Sequence, residues 1–255
     1  MYTDIRKKII IKIIDAAVKN KEAHIPSSLS VLDIIYVLYK DILDIDSILK
    51  EQNDRDRFIL SKGHAASGLF AILDHFNMLR YSDNSKCKYN SILTVHPIDS
   101  IKYIEAATGS LGHGLPIAVG MAMGYKIQNY SHSIYTIIGD GECNEGIIWE
   151  AALLASHHKL NNLYCILDYN HSGDNAIKLD SLLEKFKTFN WKCIEIDGHN
   201  INSIKSSLTT ISNKPIFILA NTIKGKGCNI MEKNSMEWHH KYPSEEIYQS
   251  ILKEL

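Results

Sequence analysis

The chain has 255 residues, of which 45% are hydrophobic, and 28 Lys+Arg face 29 Asp+Glu for a formal net charge of −1. That length predicts a single domain over residues 1–255 with a substantial core; the near-neutral charge argues against a broad nucleic-acid surface, and no apolar run is long enough to predict a membrane span. Lys7, Lys8 and Lys12 interrupt the first isoleucines, so no secretory leader is expected, and five scattered cysteines without a CxxC pair read as free thiols of a reducing, cytoplasmic setting.

Ile5, Ile9, Ile13 and Ala16-Ala17 recur at helical spacing among lysines, which predicts an amphipathic helix over residues 3–19. The polar stretch from Asn20 to Ser28 holds His24 and Pro26, and Ser30 is placed to cap a helix from Val31 to about Tyr39. Arg57 to Ser61 reads as a short buried strand that turns at Ser61-Lys62-Gly63-His64 into a helix containing Ala65 to Phe76. Residues 77–107, with His96-Pro97, lack a period and predict a long loop. The turn Thr108-Gly109-Ser110-Leu111-Gly112-His113-Gly114 enters a small-residue helix from Ile117 to Lys126. Gly120 and Gly124 in its interior, each costing ~1 kcal/mol against Ala, predict a close-packed neighbour.

The most informative stretch runs from Ile134 to Asn170. Ile134 to Ile138 is a strand, Gly139-Asp140-Gly141 a tight turn, the following stretch to Leu160 a helix, and Leu163 to Asn170 a second strand. A right-handed crossover makes the two strands parallel and brings Asp140 and Asn170 to one sheet edge, where open α/β sheets bind ligands. A carboxylate and an amide are hard oxygen donors suited to Mg²⁺ or Ca²⁺, and the glycines let a ligand approach the backbone. The helix N-terminus expected at the turn favours an anion, so the unit reads as a metal–diphosphate site. Beyond it, Lys192 to Ile196 is a strand ending at Asp197-Gly198-His199, Asn200 to Ile211 a helix, Pro215 to Asn221 a strand, and Ser244 to Leu252 a final helix. Strands alternating with helices predict an α/β fold, a doubly wound parallel sheet flanked by helices.

Gly139-Asp140-Gly141-Glu142, Glu145-Gly146, Trp149-Glu150-Ala151-Ala152 and Asp168-Tyr169-Asn170 together resemble the thiamine diphosphate motif of the transketolase family. Leu60-Ser61-Lys62-Gly63-His64-Ala65, the Thr108-to-Gly114 turn and Thr222-Ile223-Lys224-Gly225-Lys226-Gly227 resemble that family in order and spacing. The resemblance covers essentially the whole chain and less than half of a full transketolase, namely its diphosphate-binding domain. It implies that Asp140 and Asn170 ligate Mg²⁺ by side chain and Ser172 by its carbonyl, with Ca²⁺ or Mn²⁺ as possible substitutes. Gly141 and Asn170 would contact the diphosphate, His64 a phosphate oxygen, and Gly109, Ser110 and Leu111 the rings of the cofactor. Glu145 would join a carboxylate network between paired sites, and His24, His96 and His239 would face a ketose. The cofactor's thiazolium would carry the two-carbon fragment.

The same resemblance implies a separate partner chain with the pyrimidine-binding and C-terminal domains, in an α2β2 assembly acting on sugars or sugar phosphates, with no nucleic acid or membrane partner. Two rival readings are another thiamine diphosphate reaction, deoxyxylulose-phosphate-synthase-like or α-keto-acid decarboxylating, and a non-catalytic cofactor-binding module. His24 departs from the family's glycine-flanked pattern, since Ala23-His24-Ile25-Pro26 lacks both glycines. The pair His239-His240 leaves a register ambiguity that is resolved here in favour of His239. Adjacent histidines do not readily share one metal, and no third His or Cys stands at zinc spacing, so zinc is not expected. Lys224 and Lys226 either approach the cofactor or are solvated.

Overall fold

The computed structural model describes residues 2–79 and 96–255. Five strands, β1 (Arg57–Leu60), β2 (Ile134–Gly139), β3 (Leu163–Tyr169), β4 (Lys192–Asp197) and β5 (Ile216–Asn221), form one parallel sheet in the order β1-β2-β3-β5-β4. The helices are α1 (Tyr2–Asn20), α2 (Ile25–Val37), α3 (Ile45–Leu49), α4 (Ala66–His75), α5 (Gly114–Gln128), α6 (Gly146–His157), α7 (Leu182–Thr188), α8 (Ile201–Leu208), α9 (Asn229–Lys233) and α10 (Glu245–Glu254).

Successive strand residues point to opposite faces, and both faces are covered. Tyr135, Ile137, Tyr164, Ile166, Ile216 and Ile218 pack with α1, α2, α4 and α8 on one side. Ile134, Ile138, Cys165, Leu167, Phe217 and Leu219 pack with α5, α6 and α7 on the other. There Phe186 of α7 stacks on Phe217 at 3.7 Å between ring centroids. This is the doubly wound α/β arrangement expected. The chain leaves β1 toward α4 on the first face and leaves β2 toward α6 on the second. The divergence opens a crevice at the carboxyl edge of the sheet between them.

Several local expectations change. Helix α2 begins at Ile25, not Val31. Pro26 supplies a helix-ready φ in its first turn, and His24 precedes it in the left-handed region at φ 65°. Ser30 is therefore a buried interior residue of α2 and caps nothing. After β2 a 3₁₀ turn (Asp140–Asn144) intervenes, so the N-terminus of α6 does not start at Asp140. Among the described residues nothing lies within 4 Å of a Cβ built on Gly120 or Gly124. The glycine of α5 that is tightly packed is Gly114, against Ser61. Helix α8 stops at Leu208, with Asn200 as its cap, and α7 was not foreseen because its seven residues are too few for a periodic signal. Most of the loop expected over 77–107 lies outside the described residues. Among the described residues no helix is long and apolar enough to cross a membrane.

A buried polar knot ties the helices of the first face to the loops. Asp33 of α2, 2% exposed, accepts from Arg6 Nε at 2.7 Å, from His199 Nδ1 at 2.7 Å and from the Tyr2 hydroxyl. His199 Nε2 in turn accepts from the Ile223 N–H at 2.8 Å, which fixes the tautomer through its partners. Burial raises the Asp33 carboxyl, but His199 and Arg6 outweigh it and hold the group below its ordinary value of 3.8. A depressed carboxylate contributes stability above the unfolded value and loses it as pH falls through the folded one. Asp33→Asn should therefore cost about 3–5 kcal/mol by urea denaturation at pH 7. The gap from the parent chain should shrink below about pH 3.8, the carboxylate's ordinary value.

Candidate active site

The crevice holds a cavity of about 540 Å³ lined by the loops that leave β1, β2, β3 and β5 and by the start of α2. Its floor is set by an ion pair. Lys62, just past β1, reaches Asp168 on β3, with the two side chains 2% and 0% exposed. Asp168 also accepts from Ser30 Oγ at 2.6 Å, from the Thr222 hydroxyl and from Asn170 Nδ2 at 2.8 Å. Burial alone would raise Asp168; the Lys62 ammonium and these hydrogen bonds bring it below its ordinary value. Because both donors of interest on Asn170 are engaged, Nδ2 to Asp168 and to Ser30 Oγ at 3.1 Å, its Oδ1 is left as the acceptor, taking the Ser172 N–H at 3.1 Å.

Asp140 lies beside it, 6% exposed. Oδ1 accepts from the Gly141 N–H at 2.8 Å, whereas Oδ2 is buried with no hydrogen-bond partner among the described residues. A buried carboxylate oxygen without a partner is costly unless a cation completes it. Burial raises the Asp140 carboxyl, and Asp168 adds to this against the Gly173 and Gly141 N–H groups and Lys62. Asp140 Oδ2, Asn170 Oδ1 and the carbonyl of Ser172 are hard oxygen atoms contributed by residues lining one cavity, the type of donor that Mg²⁺ and Ca²⁺ prefer. Gly173 is required there, since a Cβ on it would lie 2.8 Å from the Asp140 carbonyl carbon.

A second carboxylate, Glu142, sets the far wall. It is fully buried and accepts from Ser61 Oγ at 2.6 Å, Gly112 N at 2.8 Å and Gly139 N at 2.7 Å. Burial raises it against these three bonds. Glu142 thus clamps the end of β1, the glycine-rich turn and the end of β2 together. Gly112, at φ 81°, needs the left-handed region to enter this clamp. Trp149 steadies the 3₁₀ turn by donating to the Cys143 carbonyl at 2.9 Å.

The other end of the cavity is imidazole-rich. His24 and His239 have ring centroids 4.8 Å apart, His24 and His64 5.6 Å, and His64 and His239 5.8 Å. Burial, reinforced by the neighbouring lysines and by the cost of charging clustered histidines together, lowers His24 to about 4, His239 to about 4 and His64 to about 2. All three are neutral at pH 7 and can both donate and accept. Lys224 is 6% exposed, its Nζ 2.9 Å from Ser172 Oγ and 3.1 Å from His239 Nδ1, with burial and Lys62 lowering it to about 8. It enters the cavity and is not solvated.

Of the residues singled out in the sequence, Asp140, Gly141, Asn170, Ser172, His24, His64, His96, His239, Leu111 and Glu145 line one cavity. Gly109 supports it from behind: a Cβ there would meet the His96 ring at 3.1 Å, and one on Gly63 would meet the Gly109 backbone at 2.9 Å. Ser110 is exposed and outside the lining. His239 lines the cavity and His240 does not. Missed in the sequence were Glu142, Lys62, Asp168, Ser30 and Gly173 as positioning residues. Buried charges in nearly apolar strands, such as Asp168 in Leu163 to Tyr169, are the signal that could have found them.

Fold and cavity define an α/β protein with a ligand site at the carboxyl edge of a parallel sheet. The chain belongs to the transketolase family, since residues 3–248 match its transketolase, thiamine diphosphate binding domain. It is 34% identical to one of the subunits named for the apulose-4-phosphate transketolase of Phocaeicola vulgatus, over 96% of this chain and 90% of that protein. It is also 34% identical to the 6-deoxy-6-sulfo-D-fructose transketolase subunit SqwG of a Clostridium species, over 91% and 88%. Human transketolase is 32% identical over 99% of this chain, which spans 41% of that protein. Transketolase from Leishmania mexicana superposes with a TM-score of 0.79 at 23% identity, over 98% of this chain and 43% of that one. The family is one of transferases, and its thiamine diphosphate-binding part is the part present.

Glu142→Gln places an NH₂ against backbone or hydroxyl donors that now find a carboxylate oxygen. It should cost about 1–3 kcal/mol in urea denaturation and change the fluorescence of Trp149, which hangs from the same turn.

Proposed function

We propose that this chain is the cofactor-binding subunit of a thiamine diphosphate- and Mg²⁺-dependent transketolase, moving a two-carbon ketol unit from a ketose or ketose phosphate to an aldose. The observation that carries the reading is the buried, unpartnered Asp140 Oδ2 beside the oriented Asn170 amide, in the same cavity as the neutral histidines. Asp140, Asn170 and the Ser172 carbonyl would hold Mg²⁺, and Ca²⁺ or Mn²⁺ have the same taste for oxygen donors. Gly141, Asn170, His64 and Lys224 would receive the diphosphate, and Gly109 to Leu111 would flank the cofactor's rings. Thiamine diphosphate, when bound, supplies the stabilised carbanion that no side chain can provide.

The chain's own residues bind and orient. His24, His96 and His239 offer neutral ring nitrogens to the hydroxyls of a ketose, donating to one oxygen and accepting from another. A proton taken up on such a nitrogen is readily given back, because burial and nearby ammonium groups disfavour the imidazolium. Lys62 and Lys224 add the positive field that an anionic cofactor needs, while the Lys62–Asp168 pair keeps that field at a fixed place.

The subunit names of the relatives support a separate partner chain; in this reading that partner carries the pyrimidine-binding and C-terminal domains, in an α2β2 assembly. Exposed Glu145 at the cavity edge would join the carboxylate network between paired sites. A cytoplasmic setting fits the free thiols Cys143, Cys165, Cys193 and Cys228.

Asp140→Ala should weaken Mg²⁺-dependent thiamine diphosphate binding, measured by calorimetry on this chain, by at least about 10–100-fold, with no ketose consumed when the partner is added. Unchanged binding would remove the metal assignment. Pyruvate consumption without ketose consumption would favour the deoxyxylulose-phosphate-synthase-like alternative, partner function retained without turnover the non-catalytic module, and ketol transfer by this chain alone would end the split-subunit reading.

A further inference from the structure

We propose that His24, His239 and His240 form a binding site for a divalent transition-metal ion of the zinc class, at the imidazole-rich end of the cavity. One ring nitrogen from each of the three lies within 4.8 Å of the others. Zinc bound at ~2.0–2.1 Å to each nitrogen would draw them to about 3.3 Å, a change within the reach of side-chain torsions. The three rings stand edge to face, at 82° for His24 and His239, 76° for His24 and His240 and 88° for His239 and His240. None stacks on another, so their nitrogen edges are free to converge.

The backbone already holds the ligands together. The His24 N–H donates to the His239 carbonyl at 3.2 Å, which ties the start of α2 to the 3₁₀ turn (Glu237–His239). Spacing along the chain hid the site, because the third histidine comes from 215 positions upstream of the pair. His24 Nδ1 is buried without a hydrogen-bond partner among the described residues, an imidazole nitrogen in want of one. Burial keeps His24 and His239 neutral at pH 7, the form that ligates. Lys224 opposes the ion: its Nζ sits 3.1 Å from His239 Nδ1, so ligation through Nε2 needs the tautomer with the proton on Nδ1 and release of the Lys224 hydrogen bond, a competition that moderates the affinity. A fourth position is open to water or to a substrate oxygen.

Three imidazoles select zinc, cobalt, nickel or copper over magnesium, whereas the oxygen donors at Asp140 and Asn170 do the reverse. The two ends of the cavity therefore take different metals without competing. An ion at the histidines would lock together His24 and His239 and block the substrate end. This inhibitory consequence rests on the transketolase reading; the binding itself rests on the geometry alone.

His240 makes the test clean, since it does not line the cavity. The untagged chain is titrated with Co²⁺ in excess Mg²⁺. One equivalent should give the strong visible absorption of four-coordinate cobalt on nitrogen, displaced by Zn²⁺. His240→Gln should lose that band and weaken Zn²⁺ by at least about tenfold, while keeping the melting temperature and Mg²⁺–thiamine diphosphate binding. His157→Gln, in a histidine pair elsewhere on the surface, should change neither. Equal Zn²⁺ affinity in His240→Gln and the parent chain, a weak six-coordinate cobalt spectrum, or a thiolate-to-cobalt band in the near ultraviolet would each overturn the site. With the partner present, micromolar Zn²⁺ should inhibit ketose consumption by the parent and spare His240→Gln. If cobalt binds as expected and inhibition is absent, the site stands and its inhibitory role falls.

Discussion

Lys62 carries an ammonium group into the interior of the sheet, and Asp168 meets it there with no exposed surface. Removing two charges from water costs several kcal/mol per ion unless the geometry is good and the remaining lone pairs are filled. Here they are filled: Ser30, Thr222 and Asn170 all donate to Asp168, so β1, β3, α2 and the loop after β5 meet at one carboxylate. The same bonds engage the Asn170 NH₂ and leave its oxygen as the acceptor, in the cavity that Asp140 also lines. The orientation of the Asn170 amide is thus a by-product of satisfying a buried charge.

Glu142 performs a matching task on the opposite side of β2. Its three acceptor bonds hold the glycine-rich turn against the ends of β1 and β2. Two buried carboxylates therefore fix the walls, and a third, Asp140, has one oxygen with no hydrogen-bond partner among the described residues. This division separates positioning groups, which are saturated with protein donors, from a carboxylate that is not. The Asp33 knot extends the scheme outward, because His199 joins α2 to the loop that carries Lys224.

Chemically the cavity is graded. Oxygen donors lie at one end, ammonium groups in the middle and neutral imidazoles at the other. Dense positive charge from Lys62 and Lys224 helps keep the imidazoles uncharged. An anion bound beside these lysines would relieve part of that repulsion, so anion occupancy and the proton affinity of the histidines are electrostatically coupled.

By itself the sequence determined the alternating strands and helices, the parallel β2–α6–β3 unit and the meeting of Asp140 with Asn170. These follow from short-range periodicity, turn chemistry and crossover handedness, which act over tens of residues. It also marked His24, His64, His96 and His239, but only through resemblance of motifs. Tertiary structure alone decided that Ser30 is an interior hydrogen-bond donor, that Lys62 pairs with Asp168, that Glu142 clamps three segments and that Lys224 is buried in the cavity. It also brought His24 to His239 and His240. Each of these depends on which distant groups must satisfy one another once water is excluded, and no local pattern in the chain encodes that.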